Sequence, residues 1–123
     1  MPRALVVDDS RAVRMIVCRV LRELGYEAAE AGNGRQALEA LQAGGPVDLI
    51  LADWNMPEMD GLELLQAIRA DSKYLGIPVV MVTTEAEVSQ MVTALEKGAN
   101  EYIMKPFTKE ILVDKLRLAG VTV

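Results

Sequence analysis

Five short apolar runs, each followed by an amphipathic stretch of helical period, predict a (βα)5 chain. The connections between consecutive runs are too long for hairpins, which makes the strands parallel and each crossover a helix. Leu49-Ile-Leu-Ala52 contains no polar residue, the pattern of a strand buried on both faces in the middle of a parallel sheet. Right-handed crossovers then give a doubly wound α/β sandwich of three layers, with one five-stranded parallel sheet between helices.

Arg3 to Val7 is the first strand and runs into Asp8-Asp9-Ser10. Val13, Ile16, Val17, Val20, Leu21 and Leu24 follow at helical spacing with arginines between them, and Gly25 stands where a left-handed cap is needed. Tyr26 to Glu30 is a weaker strand, placed at or near an edge. Gly32-Asn33-Gly34 turns into a second helix carrying Ala37, Leu38 and Leu41, which Gly44-Gly45-Pro46 stops. Val47 to Ala52 is the central strand, ending abruptly at Asp53. A turn with Pro57 leads to Asp60-Gly61, which opens a third helix marked by Leu62, Leu64, Leu65 and Ile68. Ile77 to Val82, entered through Pro78, is the fourth strand, and Thr83-Thr84-Glu85 follows it. Val88, Met91, Val92 and Leu95 mark a fourth helix ended by Lys97-Gly98. Glu101 to Met104 is the fifth strand, broken by Lys105-Pro106. Thr108 is the N-cap of a last helix with Ile111, Leu112, Lys115 and Leu116 along it.

With 123 residues, 51% of them hydrophobic, the chain makes one domain able to bury roughly two-thirds of its unfolded surface without disulfides or metals. A net charge of −5 argues against a sequence-independent nucleic-acid surface, which needs clustered lysine and arginine. No apolar run approaches the ~20 residues of a membrane span, and Met1-Pro-Arg-Ala-Leu5 reads as the start of a strand, not a signal peptide. The single cysteine, Cys18, fits a reducing, cytoplasmic setting and reads as a small core residue. There is no histidine, so His-based acid–base catalysis, His metal ligation and a phosphohistidine on this chain are excluded.

Every strand of a parallel sheet points its carboxyl end to the same edge, where open α/β sheets bind their ligands. The residues at that edge are Asp8 and Asp9 after the first strand, Asp53 after the third, Thr83 after the fourth and Lys105 after the fifth. Singly, Asp9 or Ser10 reads as a cap for the first helix, Thr83 as a cap for the fourth and Lys105 as a surface lysine. Trp54 and Tyr102 read as packing residues, and the seven methionines as core filler. Together, three Asp and one Lys leave a formal charge of −2 (−3 + 1), which favours a hard divalent cation such as Mg²⁺. The conjunction outweighs the separate readings.

Val6-Val-Asp-Asp-Ser10, Asp53-Trp-Asn-Met-Pro-Glu-Met-Asp-Gly61, Val82-Thr-Thr-Glu85 and Lys105-Pro-Phe107 resemble, in order and over the full chain, the motifs of two-component response-regulator receiver domains. The likeness is strongest to stand-alone, chemotaxis-type receivers with the flavodoxin-like fold. It implies that residues 1–123 form a single receiver domain without an output domain, and that Asp53 is the phosphoacceptor. It further implies that Asp9, Asp53 and the backbone carbonyl of Asn55 hold Mg²⁺ or Mn²⁺, with Asp8 acting through the metal's waters. Thr83 and Lys105 would bind phosphoryl oxygens, and Tyr102 would be the aromatic switch residue working with Thr83. Asn55 and Glu85 would tune the lifetime of the phosphate, and the Lys105–Pro106 peptide would be cis.

The resemblance also implies a phosphoacceptor that labels itself from small donors and dephosphorylates itself, without being a classical turnover enzyme. Its partners would be a sensor histidine kinase or histidine phosphotransfer protein and a separate target, such as the flagellar motor switch, met by a monomer. The acidic start Glu85-Ala-Glu-Val of the fourth helix leaves open another target, or a relay role between phosphotransfer proteins. A pseudo-receiver that binds without phosphorylation also stays open. A haloacid-dehalogenase-type phosphatase is disfavoured because its nucleophile sits in Asp-x-Asp after the first strand. A flavin binder is disfavoured because Asp8-Asp9 repels phosphate.

Overall fold

The computed structural model describes residues 2–83 and 88–121. The elements in chain order are β1 (Arg3–Val7), α1 (Arg11–Glu23), β2 (Glu27–Ala31), α2 (Gly34–Ala43), β3 (Leu49–Asp53), α3 (Gly61–Ala70), β4 (Val79–Thr83), α4 (Val88–Glu96), β5 (Glu101–Met104) and α5 (Lys109–Leu118). All pairings are parallel, in the order β2-β1-β3-β4-β5, so the predicted (βα)5 sheet is the observed one.

The strands alternate their side chains between two cores. Ala4, Val6, Leu49, Leu51, Val80 and Val82 face Val17, Cys18 and Leu21 of α1 and Leu112 and Leu116 of α5. Leu5, Val7, Ile50, Ala52, Val79 and Met81 face Ala37 and Leu41 of α2, Leu64, Leu65 and Ile68 of α3, and Ala94 of α4. Helices therefore cover both faces, which is why β1, β3 and β4 read as unbroken apolar runs. Cys18 is a buried thiol with its pKa raised by burial and then by Glu30, the inert core residue expected. Among the described residues no helix is long and apolar enough to cross a membrane.

Several boundaries differ from the sequence reading, because ladder pairing and not apolar content sets strand ends. Val47 and Asp48 precede β3, while Asp53 stays inside it, opposite Val82. Thr83 likewise ends β4, opposite Met104. Tyr26 precedes β2 and is buried, and Ala31 closes that strand. A short 3₁₀ turn at Ser72–Tyr74, begun by the Asp71 carboxylate accepting from Lys73 N at 3.0 Å, has no counterpart in the periodicity. Ile16 and Ile111 are exposed, at 63% and 44%. They flank the buried stripes of α1 and α5, and Ile16 lines an apolar groove of about 230 Å³ between α1 and Pro106-Phe107.

Candidate functional site

β1 and β3 are neighbours although β2 lies between them in the chain, so the direction of winding reverses there. The crevice beyond their carboxyl ends is where this architecture receives ligands. Asp8 leaves β1 with its N–H donated to Ala31 O at 3.1 Å, while its Oδ1 accepts from Ser10 N at 2.8 Å. Ser10 in turn caps α1, its Oγ accepting from Val13 N at 3.3 Å. The turn that starts the helix thus fixes the Asp8 carboxylate.

Asp53 is the last residue of β3 and is held from the loop side by α3. Gly61, the first residue of α3, donates its N–H to Trp54 O at 3.0 Å. A Cβ at Gly61 would collide with the carbonyl oxygen of Asp53 and lie 2.7 Å from Met81 Cε. Only glycine lets the helix start this close to the strand. Asp60 and Glu63 close a capping box on the same turn, with Glu63 N donating to Asp60 Oδ1 at 2.9 Å. In the loop between Asp53 and Asp60, Glu58 takes φ 67°, a left-handed conformation unfavourable for a residue with a Cβ.

Asp8, Asp9 and Asp53 each offer a carboxylate oxygen, all within 4.8 Å of one another. Asp8 and Asp53 are buried and Asp9 is exposed, so the cluster opens to solvent on one side. Lys105 Nζ reaches into it, 2.9 Å from Asp8 Oδ2 and 3.3 Å from Asp53 Oδ1. The Lys105–Pro106 peptide is cis, as expected. Burial, then Asp8, pushes the Asp53 pKa up, and Lys105 only partly offsets them. Burial alone would lower the Lys105 pKa; the Asp8 hydrogen bond and the two carboxylate charges outweigh it and raise it. A buried carboxylate and an acidic trio open to solvent on one side together fit a hard divalent cation. Asn55 follows on the exposed loop.

Thr83 is buried at the end of β4, and its carbonyl accepts from Lys105 N at 2.6 Å. Tyr102, half-buried on β5, lies opposite Met81 and borders, with Thr83 and Trp54, a crevice of about 10 Å³. Asp8, Asp9, Asp53, Thr83 and Lys105 thus meet at one sheet edge, Tyr102 stands behind Thr83, and Glu85 lies outside the described residues.

Three site-supporting residues escaped the sequence reading. Arg14 of α1 donates from Nη1 to Asp8 O at 2.6 Å and from Nε to Glu30 Oε1 at 3.1 Å, tying β2 to the acidic turn. Its place four residues after the Ser10 cap is the signal that was available. Glu101 and Lys115, 14 residues apart, pair beside Tyr102 with no local signal at all.

A five-stranded doubly wound sheet with an acidic trio and a lysine at its switch point defines a receiver-like class of protein, and the family comparison agrees. The response regulator receiver domain profile matches residues 4–117, and the chain belongs to that family. It is 45% identical over 117 residues to the chemotaxis protein CheY1 of Helicobacter pylori, covering 94% of each chain. It is 45% identical over 115 residues to the chemotaxis protein CheY homolog of Campylobacter jejuni, covering 93% of this chain and 88% of that one. The solved structure of Vibrio cholerae chemotaxis protein CheY4 superimposes with a TM-score of 0.89 at 38% identity, covering 95% and 97% of the two chains. The protein is a receiver of the CheY type.

Proposed function

We propose that this protein accepts a phosphoryl group on Asp53 from the phosphohistidine of a sensor histidine kinase or histidine phosphotransfer protein, and then signals in chemotaxis by binding a separate target. The observation that carries this reading is the convergence of the Asp8 and Asp9 carboxylates and the Lys105 ammonium on the Asp53 carboxylate. Asp9, Asp53 and the Asn55 carbonyl would hold Mg²⁺ or Mn²⁺, with Asp8 acting through its waters. A divalent cation bound there supplies the charge neutralisation that lets an anionic phosphodonor approach a carboxylate.

An Asp53 oxygen attacks phosphorus in line; the donor's N–P bond breaks, and its electron pair stays on the imidazole, which takes a proton from solvent. Lys105 leaves its ion pairs to neutralise a phosphoryl oxygen, and the Thr83 hydroxyl donates to another. Water later attacks phosphorus and releases phosphate with recovery of the carboxylate, and Asn55 and Glu85 set how fast. The acyl phosphate adds roughly −1.5 to −2 of charge beside Thr83. Moving Thr83 opens room for the Tyr102 ring, and the ring's new position favours an altered α4-β5-α5 surface. In the structure as it stands, α4, β5 and α5 expose Val92, Leu95, Met104 and Ile111, apolar side chains suited to a target such as a flagellar switch protein.

Trp54 fluorescence and intact mass, recorded with Mg²⁺ and acetyl phosphate, test the reading. The wild type should gain one phosphoryl group and change its fluorescence, and Asp53→Asn should do neither. No adduct on the wild type would leave a pseudo-receiver, and an adduct on Asp53→Asn would move the site.

A further inference from the structure

Tyr102 packs on the sheet face covered by α2, α3 and α4, whereas α5 covers the opposite face. Lys115, on α5, nevertheless places its Nζ over the Tyr102 ring, 4.2 Å from the centroid. The side chain reaches this position around the outer edge of β5, which among the described residues pairs with β4 alone. Glu101 steers it: its Oε1 accepts from Tyr102 N at 3.0 Å and lies 3.5 Å from Lys115 Nζ. A carboxylate anchored on the strand backbone thus fixes the ammonium next to the ring.

On the Thr83 side, the crevice that Tyr102 borders measures about 10 Å³, room for one water at most. The ring is bounded there by Thr83, Met81 and Met91, and over its face by an ammonium. Tyr102 lies on an edge strand and is only half-buried, so no neighbouring strand holds its outward side. A cation seated at 4.2 Å on a partly desolvated ring is a strong contact.

We infer that Lys115 is a positioning residue for Tyr102: through the cation–π contact, tethered by Glu101, it holds the ring in the placement of the unphosphorylated protein. The inference rests on the reading of Tyr102 as the switch. Turning the ring toward Thr83 sacrifices the contact, so Lys115 opposes switching and ties the α5 layer to the α4 layer. A lysine that only shields an exposed strand edge would lack this effect on the ring.

Ring signals of carbon-13-labelled tyrosine separate these roles, with Tyr102 identified by Tyr102→Phe. Spectra are taken of wild type, Lys115→Met, Lys115→Gln and Lys115→Arg, each without and with Mg²⁺ and beryllofluoride as the phosphoryl mimic. Both neutral variants should move the unliganded Tyr102 signals toward the beryllofluoride position, as a population change of about two- to five-fold. Lys115→Arg, which keeps a cation over the ring, should stay with wild type. Neutral variants whose unliganded Tyr102 signals overlay the wild type would overturn the inference, whatever their melting temperature. If beryllofluoride changes Trp54 fluorescence but leaves the wild-type Tyr102 ring unmoved, the switch reading fails and the braking role falls with it.

Discussion

Lys105 Nζ and Asp8 Oδ2, 97 residues apart in the chain, meet at 2.9 Å. The same ammonium stands 3.3 Å from Asp53 Oδ1. One cation therefore serves two buried carboxylates on neighbouring strands, and the acidic edge is held together by an internal positive charge. Any external cation enters a site where one of the three carboxylate charges is already neutralised.

Lys105→Met leaves Asp8 and Asp53 buried without their cation. It should lower stability by about 3 kcal/mol in metal-free buffer. Mg²⁺ should restore more stability to this variant than to wild type, because the acidic trio then binds it more tightly. Urea melts with and without Mg²⁺ check both statements; equal metal-free stability would rule out the ion pairs as contributors.

Asp53 titrates above the ordinary carboxylate value, chiefly because it is buried and then because Asp8 is near. The native state therefore keeps this proton at pH values where the unfolded chain, with a pKa of about 3.9, has lost it. The charged Asp53 weakens the fold above its native pKa, and the penalty disappears as the pH falls through that value. Asp53→Asn should melt higher than wild type at pH 7 without metal, and the gap should close toward about pH 4. A variant that melts lower at pH 7 would reverse the sign.

Gly61→Ala forces a methyl group against the Asp53 carbonyl and to 2.9 Å from Trp54 Cα. Backbone cannot yield as a side chain does, so the substitution should cost about 1–3 kcal/mol. It should also slow phosphorylation of Asp53 by displacing it. Denaturant melts and the rate of labelling by acetyl phosphate report the two effects separately.

Arg69 secures the far edge of the sheet. Its guanidinium donates to Gly98 O at 2.9 Å, Tyr74 O at 3.0 Å, Ile77 O at 2.8 Å and Asn100 Oδ1 at 2.9 Å. Lysine cannot reproduce this fan of donors, so Arg69→Lys should lose about 2–3 kcal/mol. Labelling of Asp53 should be unchanged, since the site lies at the other ends of the strands. Loss of labelling without loss of stability would contradict this placement.

The amino-acid sequence by itself determined the alternation of strands and helices, both core stripes and the identity of the edge residues Asp8, Asp9, Asp53, Thr83 and Lys105. These follow from periodicity, breakers and the rule that parallel strands share one carboxyl edge, all local or purely topological properties. Only the tertiary structure decided that Lys105 bridges Asp8 and Asp53, that Arg14 buttresses the Asp8 turn and that Lys115 rounds the β5 edge to reach Tyr102. It also turned Ile16 and Ile111 outward, although their spacing marked them for the core. Hydrophobic spacing records which face of an element is buried. Where a long charged side chain finds its partner depends on packing between elements distant in the chain, and no periodicity encodes that.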